Sequence, residues 1–118
     1  MQRSAEELVQ IVTAALEDVK ADNIRVLNVQ ALTTMCDYMV IASARSSRQV
    51  RAMAERVIEE AGKRGYRPIG TEGQEGGEWV LVDFGDVVVH SMHPLSRAFY
   101  QLEKLWDEPK SLPQQNAV

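Results

Sequence analysis

The chain has few cysteines, no long apolar run and no recognisable targeting signal. Cys36 is the one cysteine among 118 residues, so no disulfide can form within the chain. A lone thiol is typical of proteins in a reducing compartment. No apolar run approaches the roughly 20 residues that span a bilayer. The first helix contains Glu6 and Glu7, and the N-terminus resembles neither a signal peptide nor an organellar transit peptide. We therefore expect a cytoplasmic protein without membrane association.

Basic residues are fewer than acidic ones. The 13 basic residues are outnumbered by 17 acidic ones, and the net charge is −4. This balance argues against binding to nucleic acid that depends mainly on charge. A protein with a basic surface is a more plausible partner. The only histidines, His90 and His93, lie three residues apart at a strand end. Their side chains should point in opposite directions, so they make poor joint metal ligands.

The patterns that are present predict an α/β fold. Apolar spacing and caps indicate the order helix, strand, strand, helix, strand, strand, strand, helix. This order is typical of a mixed sheet of about five strands with helices packed on it. The helices are expected at 5–20, from Ser46 or Ser47 to about 63, and from Pro94 onward, and the first strands at 24–29, 37–44 and 66–71. We expect one domain over 1–107, with Phe99 and Trp106 in the core, and a disordered tail over 108–118.

The segment Glu78–Met92 predicts a β-hairpin around a two-residue turn at Gly85-Asp86. Side chains alternate between the two faces of a strand. The face expected in the core carries Val80, Val82, Phe84, Val87 and Val89. The other face carries Trp79, Leu81, Asp83, Val88, His90 and Met92. Such a mixture suits a sheet face that meets another protein, although a helix of the same chain could equally cover it.

Other motifs indicate no catalytic group, metal ion or cofactor. The glycine-rich segment Gly70–Glu78 contains three glutamates, lacks the lysine of a phosphate-binding loop and precedes a strand, so a flexible acidic connection is expected. Cys36 has no base nearby in sequence and reads as a small hydrophobic residue. Asp37, Asp83 and Asp86 could form a carboxylate site for Mg²⁺, but the turn adequately explains Asp86, and Asp37 could equally begin a strand or act as a cap.

Several motifs, in order, resemble the ribosomal silencing factors, also called the Iojap family. They are Asp37–Ser43, Ser47–Val50, Glu72–Gly73, Trp79–His90 and Arg97–Trp106. The resemblance extends from the first helix to Trp106. It implies a mixed α/β fold with a nucleotidyltransferase-like shape that lacks the catalytic motif.

The resemblance also implies a function. Members of the family are expected to bind ribosomal protein fourteen of the large ribosomal subunit, to block joining of the subunits sterically, and so to lower translation in starvation or stationary phase. It implies a non-enzymatic translation repressor without sequence-specific binding to nucleic acid. The implied apolar anchors are Trp79, Leu81 and Met92. The implied acidic contacts for basic side chains are Glu72, Glu75, Asp83 and Glu103.

Two alternatives stay open from the sequence. A small nucleotidyl- or phosphoryl-transfer enzyme is suggested by the fold relation and by the scattered residues Asp37, Asp83 and Asp86. A self-associating scaffold would pair the exposed sheet faces of two copies in a symmetric homodimer when the protein is free.

Overall fold

A computed structural model describes residues 4–102 and 104. The elements follow the predicted order. They are α1 (Ala5–Asp18), β1 (Asp22–Asn28), β2 (Tyr38–Ser43), α2 (Ser47–Lys63), β3 (Gly70–Glu72), β4 (Trp79–Asp83), β5 (Val87–Met92) and α3 (Pro94–Tyr100). Among these described residues, no helix combines the length and apolar character needed to cross a membrane.

Serine caps begin the two long helices. The Ser4 hydroxyl accepts a hydrogen bond from the Glu7 backbone N–H at 3.0 Å and begins α1. Ser46, rather than Ser47, does the same for α2 through the Gln49 N–H at 3.1 Å. Each bond satisfies a backbone donor that the helix itself leaves unpaired, and such a cap contributes about 1 kcal/mol.

The five strands form one mixed sheet in the order β1-β2-β5-β4-β3. The β2–β5 pair is parallel, because α2 and the strands after it carry the chain across the sheet, and the other pairs are antiparallel. The predicted α/β fold is confirmed. The strand expected at 66–71 is shorter, covering Gly70–Glu72, and lies at the sheet edge, as Pro68 in the preceding segment indicated.

The hairpin has the predicted register. Leu81 is opposite His90 and Val82 is opposite Val89. The Phe84 N–H donates to the Val87 carbonyl at 2.9 Å, and Gly85 has φ +94°, which a side chain would disfavour. The two faces of β4 and β5 therefore separate as the alternation predicts.

One face of the sheet, the helical face, is covered by α1 and α2. The sheet contributes alternate residues, the helices contribute their apolar stripes, and the resulting core is almost fully excluded from solvent. Its central members are Leu8, Val12, Leu16, Val40, Val50, Met53, Val57, Val80, Val82, Val87 and Val89.

The second face is only partly covered. A smaller buried cluster contains Leu27, Val29, Cys36, Met39, Ile41 and Met92, with Trp79, Val88 and Leu102 packed against it. Val29 and Cys36 belong to the β1–β2 connection, and Leu102 follows α3. These residues cover the β1, β2 and β5 part of the face, so the accessible part lies on β4 and β3.

The prediction of Phe99 in the core is wrong, because the last helix leaves its apolar residues exposed. Leu95 is 75% exposed and Phe99, expected in the core, is 79% exposed, and no residue of α3 is buried. The helix has only seven residues. Arg97 ties it to the strand ends, since its Nη1 donates to the Asn23 carbonyl at 2.6 Å and to the Ser43 hydroxyl at 2.9 Å. Trp106 and the tail over 108–118 lie outside the described residues.

The glycine-rich segment, expected to be a flexible acidic connection, makes a close turn. The Gly77 N–H donates to the Gly73 carbonyl at 3.3 Å. Gly73 has φ +86°, and a Cβ placed on it would lie 2.1 Å from the carbonyl oxygen of Trp79. Glycine is therefore required at this position, immediately beside the first residue of β4.

We expect Gly73→Ala to lower the free energy of unfolding by about 1–3 kcal/mol, because it forces a strained φ and a collision with backbone. Gly76→Ala, in the same loop, is the matched control, since its Cβ would meet only the Gly73 carbonyl at 3.9 Å. The control should change stability by about 0.5 kcal/mol or less. Urea denaturation measures both, and equal effects would contradict the close turn.

Candidate partner-binding face

The accessible part of the second face gathers residues from neighbouring strands. Residues paired across strands project to the same face, so Glu72 lies beside Leu81, and Leu81 lies beside His90. Asp83 is two residues along β4 and therefore projects to this face as well. Leu81 therefore has two carboxylates as neighbours on this face, Glu72 beside it on β3 and Asp83 next along β4.

Most of these side chains remain open to solvent. Glu72 is exposed, and Trp79, Leu81 and Asp83 are half-buried. Tyr100, which ends α3, is 52% exposed and contacts the Trp79 ring. We name these five residues the β4 patch: Glu72, Trp79, Leu81, Asp83 and Tyr100. It combines large apolar groups with two carboxylates, the composition expected for the uncovered face of the hairpin.

Two other predicted contacts are placed differently, and one is not described. Met92 pairs with Trp79 across the hairpin but has no exposed surface, so in this conformation it supports the indole from the buried cluster and presents nothing to a partner. Glu75 is exposed in the loop that precedes β4 rather than on the sheet. Glu103 lies outside the described residues.

Tyr100 is the contact that the sequence pattern indicated least clearly. Its ring centroid lies 4.8 Å from that of Trp79, with the planes tilted by 48°. In the sequence, Arg97, Tyr100, Glu103 and Trp106 recur at a spacing of three residues, which puts Tyr100 on one side of the predicted last helix. Its contact with β4 depends on where α3 lies against the sheet, which helical spacing does not determine.

Asp83 has two roles in the structure. Its Oδ1 accepts a hydrogen bond from the Gly85 N–H at 2.8 Å, which stabilises the hairpin turn. Its backbone carbonyl accepts from the Ile69 N–H at 2.7 Å, which joins the segment before β3 to the hairpin. The side chain remains half-buried. A carboxylate of the patch is thus held in place by the turn beside it.

His90 is buried under the patch and paired with Trp79. The indole Nε1–H donates to His90 Nδ1 at 3.0 Å, so His90 is a hydrogen-bonded histidine on the sheet. Burial lowers the pKa of His90 to about 4 from an ordinary 6.5. The imidazole is therefore neutral at pH 7, with its proton on Nε2.

The surroundings of Cys36 do not favour nucleophilic chemistry by its thiol. Burial raises the pKa of the Cys36 thiol, and the carboxylates of Asp83, Asp37 and Asp86 raise it further. A thiol in such surroundings carries less of the reactive thiolate. All three carboxylates act on Cys36, but within 4–102 and 104 no group of three His, Cys, Asp or Glu residues could hold a metal ion.

Comparison with known proteins agrees with the resemblance seen in the sequence. A family model described as "Ribosomal silencing factor during starvation" matches residues 2–118. The chain belongs to the ribosomal silencing factor family. This membership gives it a ribosome-associated role in the regulation of translation.

Individual relatives are similar over most of the chain. A ribosomal silencing factor from Chromobacterium violaceum is 43% identical over 105 residues, covering 89% of this chain and 86% of the relative. A crystal structure of a Chromobacterium violaceum protein superposes with a TM-score of 0.87 at 42% identity, covering 88% of this chain and 87% of the other. The chloroplastic Iojap protein of Zea mays is 35% identical over 84% of this chain and 44% of its own length.

The buried histidine of this silencing factor predicts how stability depends on pH. Unfolded His90 takes up its proton near pH 6.5, whereas folded His90 does so only near pH 4. Between these values the unfolded state binds more protons, so the free energy of unfolding should fall as the pH falls, by about 3 kcal/mol in total. Urea denaturation from pH 7 to pH 4 measures the decline.

The matched control for the pH dependence is His90→Leu, which has a similar volume and no titrating group. Carboxylates elsewhere contribute equally to both proteins, so the variant should show a shallower decline in the same window. Identical pH profiles for the two proteins would contradict a buried neutral His90.

Proposed function

We propose that this ribosomal silencing factor binds ribosomal protein fourteen of the large subunit through the β4 patch. Bound there, it blocks joining of the small subunit and lowers translation when nutrients are scarce. It acts as a cytoplasmic, non-enzymatic repressor. The observation that carries the proposal is the accessible part of the second sheet face among the described residues, where Trp79, Leu81 and Asp83 follow one another along β4 and Glu72 lies beside Leu81 on β3.

The apolar residues of the patch supply affinity. A partner that covers the half-buried Trp79 and Leu81 removes their remaining apolar surface from water, at about 25 cal/mol per Å². Large aromatic side chains near the centre of an interface carry most of its binding energy. Tyr100 extends the same apolar surface through its contact with Trp79.

The carboxylates select the partner. Glu72 and Asp83 flank Leu81, and exposed Glu75 lies in the loop before β4. Opposite charge on a basic ribosomal protein would speed encounter and fix the register of docking. A symmetric dimer through this patch would instead bring the carboxylates of two copies close together, which like-charge repulsion disfavours.

Blocking requires no chemistry. A protein of 13.2 kDa on the large-subunit surface that faces the small subunit excludes the small subunit by its volume. Repression would then scale with occupancy of the large subunit and would need neither nucleotide nor metal ion.

Trp79→Ala and Leu81→Ala should each weaken binding to ribosomal protein fourteen by about 30-fold or more, since hot-spot truncations cost about 2 kcal/mol or more. Isothermal titration calorimetry measures this loss. Val26→Ala is the matched control, because Val26 is 42% exposed but pairs with Val40 on the helical face. Unchanged affinity in both patch variants, with intact folding, would show that the interface lies elsewhere.

Glu72→Lys should slow association and weaken its dependence on salt, because it removes a carboxylate from the patch. Stopped-flow association at two ionic strengths measures both effects. Glu59→Lys makes the same charge change at an exposed position of α2, which packs on the helical face. Equal effects of the two variants would indicate that net charge alone governs encounter.

The blocking step is tested by sedimentation of purified subunits in Mg²⁺. Addition of the protein should move it to the large-subunit fraction and lower the joined-ribosome peak. Trp79→Ala should leave that peak intact. Co-sedimentation with an undiminished joined peak would separate binding from silencing and contradict the occlusion mechanism.

A further inference from the structure

The Trp79 indole is held by two rings. Its Nε1–H donates to His90 Nδ1 at 3.0 Å, and the two ring centroids are 5.9 Å apart. The Tyr100 ring lies 4.8 Å from the indole. This hydrogen bond restricts rotation of the half-buried Trp79 side chain. Without it, the indole N–H would form its hydrogen bond with water.

His90 is an unfavourable residue for the fold itself. It is 5% exposed, and its neighbours across the sheet on this face are Ile41 and Leu81. With Nδ1 accepting from Trp79, the proton is on Nε2, and that buried atom has no hydrogen-bond partner among the described residues. A buried donor without an acceptor lowers stability. An aliphatic residue of similar volume would satisfy this position better, so the stability of the fold does not explain the imidazole.

We infer that His90 is a positioning residue for partner binding. It holds the Trp79 indole in the orientation that the ring has in the complex. The inference rests on the proposed function of the β4 patch. His90 has too little exposed surface to contact the partner itself. Its contribution is made before encounter, because an anchor already held in its bound orientation loses less conformational freedom on binding.

Loss of the His90 imidazole should change stability and affinity in opposite directions. His90→Leu removes both the acceptor for the indole and the unpaired Nε2–H. It should weaken binding to ribosomal protein fourteen by about tenfold, the equivalent of one net hydrogen bond, while its urea midpoint at pH 7 stays equal or rises. His90→Asn places an amide oxygen near the position of Nδ1 but adds a buried amide N–H₂. It should recover affinity to within about threefold of the original protein, with a lower urea midpoint.

Nuclear magnetic resonance reports the positioning directly. The Trp79 indole N–H signal in a ¹H–¹⁵N spectrum is identified by its loss in Trp79→Phe. In the original protein and in His90→Asn this signal should be shifted downfield and slow to exchange with solvent. In His90→Leu it should move upfield and exchange faster.

The combined measurements separate the possible failures. Normal affinity in His90→Leu, or affinity that follows stability in both variants, overturns the positioning role. An indole signal that is unchanged in His90→Leu does the same. If the original protein fails to bind ribosomal protein fourteen, the proposed function is overturned and the docking role falls with it, while the indole spectra still show whether His90 holds the ring.

Discussion

The register of the β4–β5 hairpin is the constraint on which the rest of the structure depends. Because side chains alternate along a strand, a slip by one residue would move Val80 and Val82 out of the core and bring Asp83 into it. The tight turn at Gly85 prevents this slip, and Asp83 supports the turn through its bond to the Gly85 N–H. The helical core and the β4 patch are thus determined by the same few hydrogen bonds.

The features that sequence predicted well are those with local causes. Alternation and the Gly85 turn predicted the hairpin faces and their pairing, and serine caps predicted where α1 and α2 begin. The resemblance to silencing factors agrees with the family model. The placement of Glu72 beside Leu81 needed the β3–β4 register, which depends on a short edge strand with weak local signals.

The features that sequence did not predict depend on contacts between distant segments. Helical spacing marked Phe99 as core, yet the position of α3 is governed by Arg97 and its bonds to Asn23 and Ser43, which lie far away in the chain. The burial of Met92 likewise depends on the β1–β2 connection and on Leu102 covering that part of the sheet. Neither the hairpin pattern nor the helix pattern contains this information.

The β4 patch occupies one side of a strand whose other side lies in the core. Val80 and Val82 are fully buried on one side of this strand, whereas Trp79 and Leu81 remain accessible on the other. Outward side chains can therefore be replaced without repacking the helical core. Asp83 and Trp79 are more restricted, since Asp83 also stabilises the turn and Trp79 packs against the second buried cluster and bonds to His90. Under the proposed function, compensatory divergence between factor and ribosome should be concentrated at outward positions of β4, because its inward positions are restricted by volume.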